Sequence, residues 1–587
     1  MRDLKYLGRY LRPYRWDLFL AIFLVFVESA FEMIIPVLMS RLVDVGIETG
    51  DLGLILAQGG KMLLCAALAL ITGLLYARYA ARASYGFGAE LRQAQYRQIQ
   101  RFAFENLDRF SAPSLVTRLT ADATVLQNAV ISGLRPLVRS PVMLVFGVGL
   151  SFFLNAKLAM IFVLTAPALG LILFWIVHKV SPLYARQQVA IDHVNGQVQE
   201  SLTAIRAIKA FVRGDYEAER FDEVNTELRD TSLKTFGYAV RNQPAFQAVM
   251  YLAIVSIMWF GGRYIAAGTM TVGELTGFLT YVLQVMNSQM MISNVFLLLT
   301  RSLASAHRIH EVLEEQPALH APDAPRRTVP DGSVVFEDVS FRYHADAKED
   351  ALSHVSLTIR PGQTIGILGG TGSAKTTLVQ LIPRLYDASE GRVLVGGHDV
   401  REYDLAALRD AVGIVLQVNT LFSGSIRENL RWGNPSADDA ALWRACEQAC
   451  ADAFIRSKPG GLDAQLGQGG AGVSGGQKQR LCIARALLKN PKILIFDDST
   501  SAVDTATEAN IRAALSALTN VTKIVIAQRV TSVMGADQIV ILDDGKIHAI
   551  GTHAQLLAQD PIYQEIYESQ MKGDGEHGEA LYRKTAR

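Results

Sequence analysis

Two adjacent carboxylates close the short apolar run in "KILIFDDSTSAVD", where Asp497 and Asp498 follow Ile493–Phe496. In a nucleotide-hydrolysing site, the first acid holds magnesium through water and the second polarises the attacking water. Upstream, "GILGGTGSAKTTLVQLI" sets Gly369, Gly370, Thr371, Gly372, Ser373 and Ala374 between a strand and a helix. Backbone N–H groups of such a turn cradle phosphates. Lys375 can reach the β- and γ-phosphates, and Thr376, followed by Thr377, can offer its hydroxyl to magnesium. The strict pattern has glycine before the lysine, whereas this chain has Ala374. Its methyl either loosens a tight phosphate approach or rests harmlessly in helical dihedrals, where alanine is comfortable. About a hundred residues later, "VSGGQ" opens another helix with Ser474, Gly475, Gly476 and Gln477, a second anion-binding N-terminus. One domain does not need two γ-phosphate cradles. The economical arrangement is a head-to-tail dimer, each nucleotide gripped by one subunit's glycine-rich loop and the other's VSGGQ.

A second set of polar residues lies in apolar surroundings. Glu28 and Glu32 are four apart and share a helix face. A charge at a bilayer centre costs roughly 2.5–3.5 kcal/mol on insertion scales, so neither acid should face lipid. They either line a hydrated cavity that accepts cations or are neutralised by protonation or a partner helix. "QVMNSQMMISN" at 284–294 offers an adaptable binding wall or ordinary interhelical packing. Cys446 and Cys450 sit one turn apart without a second ligand pair, which reads as small buried residues of a reduced cytosolic domain.

The elements that must carry these groups fall into two halves. Of 587 residues, 50% are hydrophobic, and the excess lies before about residue 300, the distribution of a membrane domain followed by a soluble one. Net charge is +1, so no global field suggests nucleic acid. No removable signal peptide is recognisable at the N-terminus. Apolar runs at 17–38, 62–77, 140–156, 158–177, 244–262 and 275–300 approach or exceed the roughly 20 residues that span a bilayer. The turn "NAK" at 155–157 makes a hairpin of two spans. Arg2, Lys5, Arg9, Arg12 and Arg15 face one acid before the first span, which places the N-terminus in the cytoplasm. Segments 78–139 and 178–243 are long and Arg-rich, helices continuing beyond the bilayer on that side. With six spans, the C-terminus lies inside as well. The expected division is a membrane domain over 1–315, a proline-rich linker over 316–332, a nucleotide-binding domain over 333–571 and a flexible charged tail over 572–587. Short β-branched runs alternating with helical stretches make the second half α/β with a largely parallel sheet.

With "LQVNTLFSGSIRENL", "GVSGGQKQRLCIARAL", "ILIFDDSTSAVD" and "IVIAQRV" in that order, the chain resembles the ATP-binding cassette family along its whole length. The likeness is to multidrug-type exporter halves with six membrane helices fused to a P-loop nucleotide-binding domain. The resemblance implies ATP and Mg2+ as ligands. It implies that Tyr343 in "FRYH" stacks on adenine, Gly369–Thr377 wrap the phosphates, Gln417 senses magnesium, Asp497 holds the metal through water, and Ser501–Asp504 cross a dimer interface. Ser111–Thr120 and Ile205–Arg213 look like the coupling elements that dock on nucleotide-binding domains. Two positions depart from the family pattern. Asp498 replaces the catalytic glutamate, and Gln528 replaces the histidine that would contact the γ-phosphate.

Both departures lie in the hydrolytic apparatus, so the expectation is the degenerate half of a heterodimeric exporter. Its partner would be a second half with glutamate and histidine at these positions, and its cargo small hydrophobic or amphipathic compounds crossing the cytoplasmic membrane. A homodimeric lipid or peptide exporter and a nucleotide-gated membrane regulator are the alternatives. A soluble cassette protein acting in translation or DNA repair is disfavoured by the fused membrane half.

Overall fold

The computed structural model describes residues 2–344, 347–498 and 505–574. The chain forms two compact units, one of residues 1–100 and 111–315, the other of 101–110 and 316–587.

The first unit is helical. Its long helices are α1 (Arg15–Arg41) and α2 (Leu52–Ile99). The chain then leaves this unit for the short α3 (Phe104–Arg109), which belongs to the second, before returning as α4 (Ala123–Leu154) and α5 (Ala156–Thr203). α6 (Gly214–Ala239), α7 (Asn242–Ala266) and α8 (Val272–Glu314) complete it. Each expected apolar run falls inside a different one of these helices, α6 excepted. Five helical stretches are long and apolar enough to cross a membrane among the described residues, and α8 carries the sixth run. Caps set the boundaries. Asn155 accepts from the Leu158 amide at 3.2 Å, which breaks α4 from α5 at the predicted turn, and Thr271 with Glu274 forms a capping box at the start of α8. Large side chains such as Phe153, Leu164 and Phe174 are exposed on the outside, as expected where the solvent is hydrocarbon rather than water.

The second unit begins with an antiparallel sheet whose strands β1 (Val334–Phe341) and β2 (Leu352–Ile359) pair with each other. β3 (Thr364–Leu368) leads through the glycine-rich turn into α9 (Lys375–Gln380). β4 (Glu390–Val395) and β5 (His398–Asp399) complete the first sheet in the order β2-β1-β4-β5. β6 (Val412–Val415), α10 (Gly475–Leu488), β7 (Ile493–Asp497), β8 (Thr522–Ile526), β9 (Gln538–Asp543) and β10 (Lys546–Gly551) follow, and α11 (Pro561–Asp574) ends the described chain. The main sheet runs β10-β9-β3-β8-β7-β6 and is parallel except for its β10 edge. Its central strands are covered on both faces, and β7 is buried at all five positions. That burial is why they read as unbroken apolar runs.

Both segments expected as coupling elements contain helical turns. Ser111–Thr120 does not belong to the nucleotide unit, whereas residues 101–110 do. α3 packs there because Phe104 sets its ring edge on Tyr386 at 5.9 Å and Asp108 accepts from the Tyr386 hydroxyl at 2.7 Å. The Ile205–Arg213 stretch folds as a helix over Ile205–Ala210, leaving Phe211 and Val212 exposed.

Candidate nucleotide site

In open parallel sheets, ligands gather at the carboxyl ends of the strands. The glycine-rich turn leaves β3 there, Asp497 ends β7, and Gln528 follows β8 two residues past its end. Gly372 takes a positive φ of 87°, and a Cβ placed there would meet nothing within 4 Å. The turn is therefore unobstructed at Gly372.

Ala374 is not in helical dihedrals. It sits at φ 64°, ψ 26°, the left-handed region, as the residue capping α9. The harmless reading of its methyl is overturned, because an L-residue with a Cβ is strained there by about 1–2 kcal/mol.

Lys375 is folded back onto its own loop. Its ammonium donates to the carbonyls of Gly369 (2.9 Å) and Gly370 (2.6 Å) and to Ser373 Oγ (3.2 Å). Burial pushes its pKa down, against the pull of Asp498 and Asp497. Thr376 Oγ1 donates to Asp497 Oδ1 at 2.8 Å, and Asp497 is almost fully buried. Burial raises the pKa of both Asp497 and Asp498, opposed by the hydrogen bonds from Thr376 and Gln528 respectively. The two residues that depart from the family pattern meet directly. Gln528 Nε2 donates to Asp498 Oδ2 at 2.6 Å.

Tyr343 hydrogen-bonds Thr377 Oγ1 at 2.7 Å and stands edge-on to Phe341 and Tyr386. It is 37% exposed, so part of its ring remains open. It borders a cleft of about 310 Å³ shared with Glu105, Arg342 and Tyr386. Gln417 is exposed just beyond β6. Ser474 and Gln477 form a capping box on α10, each side chain accepting from the other's backbone. No hydrogen bond or ion pair joins them to Gly369–Thr377 among the described residues. Ser501–Asp504 lies outside the described residues. Cys446 is buried in the apolar core of this unit, which pushes its thiol up to about 12.

Within the helical unit, Glu28 and Glu32 are both paired. Arg135 contacts Glu28, and Arg139 reaches Glu28 at 3.5 Å and Glu32 at 2.5 Å. The cluster is neutral, two acids against two arginines. A cavity built to accept cations would leave negative charge uncompensated, so this pairing favours helix packing. The sequence carried a signal for the arginines: "ESAFE" and "RPLVR" repeat the same four-residue spacing with opposite signs.

Comparison with known proteins agrees with this geometry. Residues 18–289 match the ABC transporter transmembrane region and 352–501 the ABC transporter family. The chain is 38% identical to the uncharacterized ABC transporter ATP-binding protein YfiB of Bacillus subtilis, over 96% of this chain and 98% of that one. It is 33% identical to an ATP-dependent lipid A-core flippase of Desulfotalea psychrophila, over 95% and 97%. A solved bacterial Atm1-family ABC exporter with ATP bound superposes with a TM-score of 0.80 at 25% identity, covering 96% of this chain and 99% of that one. The chain belongs to the ABC transporter family, as a multi-pass exporter half that works as a dimer and couples ATP hydrolysis to transport.

Proposed function

We propose that this chain is the degenerate-site half of a heterodimeric exporter that moves small hydrophobic or amphipathic compounds across the cytoplasmic membrane. The observation that carries the reading is the direct Gln528–Asp498 hydrogen bond. Asp498 is one methylene shorter than glutamate, and a misplacement of about 1 Å can cost on the order of 100-fold in rate. Gln528 carries neither a proton nor positive charge to the γ-phosphate. Binding is a separate matter. The open glycine-rich turn, Lys375 and the Thr376 hydroxyl are what a triphosphate needs. Thr376 and Asp497 present hard oxygen donors side by side, the donor set suited to Mg2+. When bound there, Mg2+ supplies charge neutralisation on the phosphate oxygens. Lys375 would have to swing away from the Gly369 and Gly370 carbonyls to meet those phosphates, Tyr343 would offer its open face to adenine, and Gln417 would help hold the metal. Ser474–Gln477 completes the partner's competent site.

The reading is tested by phosphate release from the heterodimer. Ser474→Arg should abolish turnover and Asp498→Asn should leave most of it, while this chain purified alone is nearly inactive. Silencing by Asp498→Asn with tolerance of Ser474→Arg would reverse the division of labour. The orientation, with both termini in the cytoplasm, rests on the basic N-terminus. Single cysteines at Thr49 and Ala267 should label from outside, and those at Ser111 and Thr328 should not.

A homodimeric lipid exporter is the second reading, favoured by the likeness to the lipid A-core flippase. It requires this chain alone to hydrolyse ATP at a rate comparable with the complex.

A further inference from the structure

Gln528 is exposed, so packing does not hold its side chain against Asp498. Its backbone is held instead, from a distant part of the chain. Gln570, on the C-terminal helix α11, donates from Nε2 to the Gln528 carbonyl at 2.8 Å and accepts from the Val530 amide through Oε1 at 2.8 Å. One side-chain amide thus satisfies two backbone groups on either side of Arg529, as a neighbouring strand would. α11 is itself fixed. Fully buried Tyr563 packs with Ala527, Val530 and Val533, its hydroxyl meets His553 Nδ1 at 2.6 Å, and its amide donates to Asp560 Oδ1 at 2.7 Å.

We infer that Gln570 is a positioning residue of the nucleotide site: through α11 it fixes the backbone of Gln528 to Val530, and so aims the Gln528 amide at Asp498 and at the end of the nucleotide beyond it. The inference rests on the reading that Gln528 and Asp498 face the terminal phosphate. A residue that aims a group at the terminal phosphate affects ATP and not ADP. One that merely stabilises the fold affects both alike.

The test uses the full-length chain in nanodiscs and measures Kd for Mg-ATP and Mg-ADP separately, in the cold to limit turnover. Gln570→Ala should weaken ATP about fivefold, the size of one ordinary hydrogen bond, and leave ADP within about twofold. Gln570→Glu keeps the acceptor for Val530 but turns a carboxylate toward the Gln528 carbonyl, and should weaken ATP at least as much. Gln564→Ala is the control, since Gln564, also on α11, makes a comparable bond to the Leu557 carbonyl of the preceding helix. It should lower Tm without changing the ATP-to-ADP ratio. Gln528→Ala separates the two layers of the argument. If it leaves the ratio unchanged, the site reading and the inference fall together. If it shifts the ratio while Gln570→Ala does not, the inference alone is overturned.

Discussion

The chain holds two clusters built around a pair of acids, and they are finished differently. In the helical unit, Glu28 and Glu32 each meet an arginine. In the nucleotide unit, Asp497 and Asp498 meet neutral donors, the Thr376 hydroxyl and the Gln528 amide, while the nearby Lys375 donates to backbone carbonyls. The first cluster is electrically closed and needs nothing further. In the second, the Lys375 ammonium rests on backbone carbonyls, the arrangement expected of a site that a charged ligand completes. Closed charge pairs hold helices together; open ones bind.

The sharpest way to break the comparison is to open the closed cluster. Glu28→Ala leaves Arg135 and Arg139 one carboxylate short at a buried acid, and breaking such a pair costs at most about 3 kcal/mol. Thermal unfolding in nanodiscs should show the loss. The double variant Glu28→Leu with Arg135→Leu should recover most of it, since apolar replacement of a whole buried pair is often neutral. Transport of cationic and neutral cargo should fall together in the single variant. Selective loss of cationic cargo at unchanged stability would restore the cavity reading.

A smaller effect tests the strain of the open site. Ala374→Gly removes the left-handed alanine and should stabilise the nucleotide unit by about 1 kcal/mol, less the extra freedom that glycine gains when unfolded. ATP affinity should rise with it. An unchanged Tm and Kd would mean that the loop carries no such penalty.

The smallest effect asks whether the open site costs stability through its charge. Burial raises the pKa of Asp497, so the folded protein holds that proton more tightly than the unfolded chain. The stability of the folded state therefore falls as pH rises from the unfolded toward the raised folded pKa. Asp497→Asn keeps an acceptor for Thr376 and removes the charge. Its Tm advantage without nucleotide should be near zero around pH 4, where an unperturbed aspartate titrates, and grow toward neutrality, while Mg-ATP binding is lost. A Tm difference independent of pH would exclude this cause.

Much of this was legible in the residues, for identifiable reasons. Uncharged runs and the Asn155 turn gave the spans because bilayer thickness fixes helix length. The glycine-rich loop, VSGGQ and the two aspartates marked the candidate site because each is a local arrangement of backbone and side chain. What the sequence hid depends on distant packing. Counting uncharged runs set Arg135 and Arg139 just outside a span, and so concealed the partners of Glu28 and Glu32. No motif marks the contacts of Phe104 and Asp108 with Tyr386. Gln570 lies 42 residues beyond Gln528 and carries no motif. The handedness of Ala374 could not be read from its type, since alanine is ordinarily at ease in helical dihedrals.

That alanine has a consequence in time as well as energy. Any transient opening of the loop releases its φ from the left-handed region, so opening is easier than it would be with glycine at the same place. Amide hydrogens of Lys375 and Thr376 report such openings through exchange with solvent. An easing of about 1 kcal/mol corresponds to roughly fivefold faster exchange, which Ala374→Gly should slow by the same factor. A loop that opens this often admits its nucleotide readily during those openings, and the same methyl that loosens the grip shortens the wait.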